Sequence, residues 1–116
     1  MKYVCLCYEE EKKLKAMPKD KWDTVVRETY AYNEELRQKG HLIASQALQS
    51  VETAKTVRVR DGKISATDGP FAETKEQLGG VFLIEAKDLN EAIHVASRLS
   101  GARLGCIEVR PVMELS

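Results

Sequence analysis

The sequence predicts a single α+β domain with an antiparallel sheet and two helices on one of its faces. Two observations carry that prediction. The apolar segments run in the order strand, helix, strand, hairpin, strand, helix, strand. Without the hairpin this is β-α-β-β-α-β, the split βαβ pattern of ferredoxin-like folds. The chain has 116 residues, the usual length of one domain and enough to bury one core. No composition shift, repeat or low-complexity tract divides it.

The first strand is expected over residues 2–8. Tyr3, Cys5 and Cys7 share one face and Val4, Leu6 and Tyr8 the other, and both are apolar enough for a central strand. Residues 9–17 read as a charged connection. A helix is expected from Pro18, which suits a first turn, to Lys39. Trp22, Val25, Val26, Thr29, Tyr30 and Leu36 recur at three- and four-residue spacing as its buried stripe, and Gly40 is placed to supply a left-handed cap.

His41–Leu48 reads as the second strand. Thr56–Arg60 and Lys63–Thr67 are expected to pair around a type I′ turn at Asp61-Gly62. Val81–Ala86 is the next strand. Asp88 and Glu91 have capping-box spacing for a helix that presents Leu89, Ala92, Ile93, Ala96 and Leu99 inward and ends at Gly101. Cys106–Val112 is the last strand, and Pro111 near its end suits an edge or a terminus. Two helices cover only one face of such a sheet. The other face is apolar, so a homodimer packed sheet on sheet is expected.

Hydrophobic residues make up 43% of the chain and charged residues 31%, which marks a globular rather than a disordered sequence. Lys+Arg and Asp+Glu both number 18, for a formal charge of zero. A nucleic-acid binder of this size carries a basic excess, so nucleic acid is not an expected partner. The longest apolar runs, such as Val81-Phe82-Leu83-Ile84, are strand-length, against the ~20 residues of a bilayer-crossing helix. The opening run from Met1 to Tyr8 passes into Glu9-Glu10-Glu11 without the features of a signal peptide. Three cysteines, an odd number, do not make a disulfide framework. A cytoplasmic location with no membrane partner is the expectation.

The distinctive segment is Asp68-Gly69-Pro70-Phe71 running into Ala72-Glu73-Thr74-Lys75-Glu76-Gln77-Leu78-Gly79-Gly80. Asp68 reads in two ways. It is a carboxylate at the mouth of a cleft, or it is turn chemistry, with Gly69 supplying positive φ and Pro70 fixing the next φ. Turn chemistry alone does not call for Phe71 or for so long a tail, and long connections are often functional. Glu73 and Lys75 line the same cleft or sit in solvent. Gly79-Gly80 permits close approach of a backbone or ligand.

Two histidines far apart in sequence, His41 and His94, make a weak case for zinc. Cys5 and Cys7 share a strand face, and an antiparallel last strand brings Cys106 near Cys7, which allows a metal or redox reading beside plain core packing. No fourth ligand is evident, and neither a metal nor a cofactor is expected. Arg58, Arg60 and Arg110 read as an anion patch if the hairpin curls over the sheet, or as strand surface charge. Phosphate-loop, nucleophile-elbow, zinc-helix and EF-hand patterns are missing.

The run Asp68–Gly80 resembles the signature of the DGPF-domain proteins, a branch of the YCII-related family. The hairpin Thr56–Lys63, the stretch Gln46-Ala47-Leu48-Gln49 and the ending Ile107–Glu114 resemble it too, so the resemblance covers nearly all of residues 1–116 as one domain. It implies a ferredoxin-like fold that pairs into a dimeric α/β barrel. It implies little about activity. Some YCII-like relatives carry a His-Asp pair in a cleft, and DGPF proteins are often encoded beside extracytoplasmic-function sigma factors. Here the helix histidine falls at Thr29–Tyr30, counting back from Gly40, and the acid falls at Leu99-Ser100. Neither position holds a group that titrates like histidine near neutral pH, so the dyad chemistry is not carried over.

The expected ligand-binding set is Asp68, Gly69, Pro70, Phe71, Glu73, Lys75, Gln46 and His41, with Asp68 the best catalytic candidate. The expected function is a homodimer that binds a small polar ligand in a cleft walled by residues 68–80, with turnover left open. The alternative is a non-catalytic regulatory module that acts with a sigma factor.

Overall fold

The structure is a computed structural model and describes residues 1–115. The strands and helices in chain order are β1 (Lys2–Glu9), α1 (Glu11–Lys15), α2 (Lys19–Gln38), β2 (Leu42–Ala47), β3 (Lys55–Arg60), β4 (Lys63–Asp68), β5 (Gln77–Glu85), α3 (Leu89–Ser97), α4 (Gly101–Leu104) and β6 (Cys106–Pro111), with a 3-10 turn at Val51–Thr53 between β2 and β3. Four strands form one antiparallel sheet in the order β2-β5-β1-β6, and β3-β4 is a separate two-stranded sheet. This is the ferredoxin-like arrangement with an inserted hairpin.

The register sorts side chains by face, because cross-strand partners point the same way. Tyr3 pairs with Ile84, Cys5 with Phe82 and Val109, and Cys7 with Gly80 and Ile107. Tyr3, Cys5 and Ile84 join Tyr32, Leu36, Ala92, Val95, Ala96 and Leu99 in the core beneath the helices. Val4 pairs with Leu83 and Leu6 with Val81 on the opposite face. The core is locked by one buried polar contact, in which the Tyr32 hydroxyl donates to the Val95 carbonyl at 2.8 Å. Arg98 stacks 4.5 Å from the Tyr32 ring centroid and forks onto Glu35 at 2.7 and 3.2 Å.

The local signals act through their expected chemistry. After α2, Gly40 takes φ +79°. Its N–H reaches the Arg37 carbonyl at 3.1 Å while the His41 N–H reaches that of Leu36 at 2.8 Å, the paired bonds of a Schellman cap. The hairpin turns on Asp61 at φ 51° and Gly62 at φ 75°, the two positive values a type I′ turn requires. The Asp88 carboxylate accepts from the Glu91 N–H at 2.9 Å and starts α3.

Several boundaries differ from the expectation. β5 begins at Gln77, so Gly79 and Gly80 lie inside a strand and the connection from β4 shrinks to residues 69–76. Gln77 belongs to the sheet because its side chain closes both sides of this corner. Its Oε1 accepts from the Glu11 N–H at 3.0 Å, and its Nε2 donates to the Thr74 carbonyl at 2.7 Å. The connection at residues 9–17 holds the end of β1 and all of α1. On α3 the buried positions are Ala92, Val95 and Ala96, while Leu89 and Ile93 are half exposed. The stripe is turned by one residue because α3 packs over β6. Gly101 opens α4 instead of ending α3.

The molecule is a slab of 47 × 46 × 19 Å. Its radius of gyration is 16.1 Å, against about 13 Å for a compact chain of this length. The excess reflects the β3-β4 hairpin, nearly all of whose residues are exposed. Among the described residues no helix is long and apolar enough to cross a membrane.

Candidate functional site

The first half of α2 stands off from the sheet. Its expected buried stripe is buried only at Leu36, while Trp22 is 42% exposed and Tyr30 faces largely outward. Beneath this half lies a cavity of about 370 Å³, within the range of small-molecule sites. Val25 and Val26 of α2, Phe82 of β5 and Leu99 and Leu104 near α4 form its apolar walls, and Trp22 stands at its edge. Glu9, Thr29, Asn33, Ser45 and Ser100 supply polar groups.

Glu9 extends the Tyr3-Cys5-Cys7 face of β1 by one more alternation. Its carboxylate lies in a cradle of glycines. A Cβ on Gly101 would stand 3.1 Å from Glu9 Oε1, and one on Gly79 would stand 3.4 Å from Oε2. Among the described residues no hydrogen-bond donor or cation engages this carboxylate. Burial pushes its pKa upward. Asn33 Oδ1 is fully buried without a partner. A partly buried carboxylate without a partner and a buried amide oxygen without one are both costly to folding.

Thr29 and Ser100 also meet in this cavity, with their hydroxyl oxygens 3.0 Å apart. The resemblance to the YCII-like pattern implies a histidine at Thr29–Tyr30 and an acid at Leu99-Ser100. The fold brings the pair together, but as two hydroxyls without a base between them. Cys7 lies against the same cavity. Burial, helped by the charge of Glu9, pushes its thiol up to about 12, and burial takes Cys5 to about 11. Both shifts disfavour the thiolate, the form that acts as a nucleophile.

The Asp68 segment lies elsewhere. Asp68 ends β4, with its side chain 87% exposed and ion-paired to Lys55 across the hairpin. Gly69 turns the chain at φ 93°, and its carbonyl accepts from the Thr56 hydroxyl at 2.9 Å. Phe71 is 83% exposed. Lys75 reaches Glu10 at 3.5 Å. Gly69, Pro70, Phe71 and Glu73 border a wider, open cavity of about 1110 Å³ together with residues 48–57. Glu11 braces that corner, accepting from Ser50 Oγ at 2.9 Å and from the Val51 N–H at 2.8 Å.

Only the tail of the distinctive run, Gly79 and Gly80, reaches the α2 cavity, where Gln46 also lies. His41 sits at the other end of the sheet, with Nδ1 2.8 Å from the Glu85 carbonyl oxygen. The fold therefore splits the expected set into the loop residues, Gln46 beside the α2 cavity, and His41 apart from both.

The cysteine and arginine alternatives resolve on geometry. Cys106 pairs with Tyr8, on the face opposite Cys7, so the three thiols do not converge. Among the described residues no group of His, Cys, Asp and Glu could hold a metal ion. Arg110 is engaged by Glu108 in the main sheet, while Arg58 and Arg60 lie on the separate hairpin, so they form no single anion patch.

Glu9 and Asn33 are absent from the expected set. Glu9 hides in the sequence within a charged run, although positions 3, 5, 7 and 9 share a strand face. Asn33 follows Thr29 by one helical turn, and a polar residue on that otherwise apolar stripe is the available signal.

The fold and cavity define a class: a ferredoxin-like α+β domain with a pocket of ligand size between its helical layer and its sheet. The chain belongs to the YCII-related family, whose domain matches residues 1–116. It is similar to an uncharacterised protein of Rhizobium meliloti (strain 1021), 39% identical over 114 residues that cover 97% of this chain and 92% of the relative.

Proposed function

We propose that this protein binds a small organic ligand in the cavity between α2 and the sheet, with Glu9 as the polar anchor. The supporting observation is the Glu9 carboxylate, partly withdrawn from water in an apolar enclosure with no partner among the described residues. A group held at a cost to folding is a common mark of a functional site. In this reading the segment from Asp68 serves the site through its tail. Gly79 and Gly80 wall the cavity, and Asp68 with Lys55 fixes the base of the hairpin. The wider cavity at Gly69–Glu73 is the second place where a ligand would sit. In this reading Glu9 also serves as the proton acceptor in turnover.

The test is a thermal-shift screen of a metabolite library on the wild type, Glu9→Gln and Asp68→Asn. A ligand that binds the folded state raises its melting temperature by mass action. Hits are expected to survive Asp68→Asn and to be lost in Glu9→Gln. Hits lost in Asp68→Asn and kept in Glu9→Gln would move the site to the loop.

We also propose a cytoplasmic homodimer packed through the outer sheet face. Val4, Leu6, Val81 and Leu83 cluster there away from the helices, and apolar faces of this kind mark interfaces. Leu6→Glu is expected to halve the particle mass measured by light scattering while leaving the circular dichroism of the fold in place. A wild type that is monomeric at micromolar concentration would contradict the dimer. The regulatory reading, a module acting with a sigma factor, gains support if the library yields no ligand and the protein co-purifies with such a factor.

A further inference from the structure

The directions of the hydrogen bonds inside the α2 cavity limit what it accepts. The Thr29 hydroxyl has one proton and gives it to the Val25 carbonyl at 2.8 Å. At the 3.0 Å contact between Thr29 and Ser100, Ser100 must therefore be the donor. Its own proton is spent there, and it presents only lone pairs to the cavity. The Asn33 oxygen is buried without a partner, while the amide nitrogen of the same side chain keeps two donor hydrogens. Glu9 contributes two carboxylate oxygens. The Tyr32 hydroxyl, on the same helix, is spent on Val95.

The inner donors are the Asn33 amide nitrogen and the Ser45 hydroxyl, and the lining holds one carboxylate and no cation. Ser45 is the one hydroxyl free to turn either way. The potential donors of Trp22, Tyr30 and Gln46 belong to exposed residues at the edge. Trp22, Tyr30, Tyr32 and Phe82 add four aromatic rings to the lining. A carboxylate, neutral acceptors and aromatic surfaces together match one ligand chemistry. A protonated amine has donors for every acceptor, a charge for the carboxylate and an affinity for ring faces. An anion would meet the Glu9 charge with no cation in the lining to offset it.

We propose that the α2 cavity is a site for a small organic ammonium ion, an amine carrying an apolar or aromatic body, with Glu9 as its counter-charge and Ser100 as a further acceptor. This rests on the reading of the cavity as the ligand site and names its ligand class.

The test uses three probes on one carbon skeleton: 2-phenylethylamine, 2-phenylethanol and phenylacetate. Each is titrated into the full chain at neutral pH and followed by NMR at Trp22 and Phe82. The amine is expected to bind at least ~10-fold more tightly than either other probe, the increment of a charge-assisted bond in a partly desolvated site. Glu9→Gln is expected to erase the preference. Ser100→Ala, a second variant that leaves the carboxylate intact, is expected to weaken the amine selectively. Alcohol or phenylacetate binding at Trp22 and Phe82 as tightly as the amine would overturn the ammonium assignment and keep the cavity as a ligand site. So would an amine preference that survives Glu9→Gln. No perturbation of Trp22 or Phe82 by any probe would overturn the cavity reading with it.

Discussion

Gly105→Ala is expected to cost more than about 3 kcal/mol, at or beyond the top of the usual range for overpacking. A Cβ at this position would lie 2.0 Å from the Tyr8 carbonyl oxygen, 3.0 Å from the Tyr8 carbonyl carbon and 3.1 Å from Glu9 Cα. All three are backbone atoms of β1, so no side-chain rotation relieves the clash. Relief requires the start of β6 to lift away from β1, where Cys106 pairs with Tyr8. The same movement disturbs the backbone from which Glu9 projects, so ligand binding should fall with stability. A drop in melting temperature of more than about 12 °C is the expected reading. Gly101→Ala is the control. Its nearest neighbours are the side-chain ends of Glu9 and Ile107, at 3.1 and 3.2 Å, which can yield. A Gly105→Ala protein as stable as the wild type would mean that the entry to β6 does not lie against the Tyr8–Glu9 backbone as described.

Ile84→Ala is expected to cost about 2–5 kcal/mol, the range for emptying a buried aliphatic site. Ile84 is 0% exposed and lies on a central strand, paired with Tyr3 on one side and Leu42 on the other. Domains of this size carry roughly 5–15 kcal/mol in total, so the loss is a large share of the whole. Urea unfolding should show a lower midpoint with an unchanged slope, because the surface exposed on unfolding barely alters. A loss below about 1 kcal/mol would mean the site collapses around the smaller side chain far more readily than buried positions usually do.

Most of the fold is legible in the sequence because its signals are local. Asp61-Gly62 dictates its turn whatever lies around it, as do Gly40 after α2 and Asp88 before α3. The strand and helix order then leaves few topologies. The Gln77 boundary is hidden because its cause is a side chain reaching a backbone N–H at Glu11, far away in sequence. The facing of α3 is hidden for a similar reason. Positions 89, 92, 93, 96 and positions 92, 95, 96, 99 are both good helical stripes, and the packing on β6 decides between them. The cavity is harder still. The α2 stripe reads as core throughout, and nothing in its spacing tells that Leu36 meets the sheet while Val25 and Val26 wall an open space. The loop from Asp68 draws attention because it is unusual as a string, whereas Glu9 is unusual only in its surroundings.

The central claim is that Glu9 stands unpaired and partly out of water in the α2 cavity. Its sign in pH-dependent stability follows. Burial raises the pKa in the folded state, so the folded chain holds this proton more tightly than the unfolded one does. The contribution of Glu9 to stability therefore falls as pH rises from the unfolded value, about 4.3 for a free glutamate, through the raised folded value. Glu9→Gln removes that slope. The most direct measurement is an NMR titration of the Glu9 side-chain carboxyl carbon in the ligand-free protein. A midpoint above the ordinary glutamate value is expected; a midpoint at or below it would place the carboxylate in water or beside a cation and contradict the account.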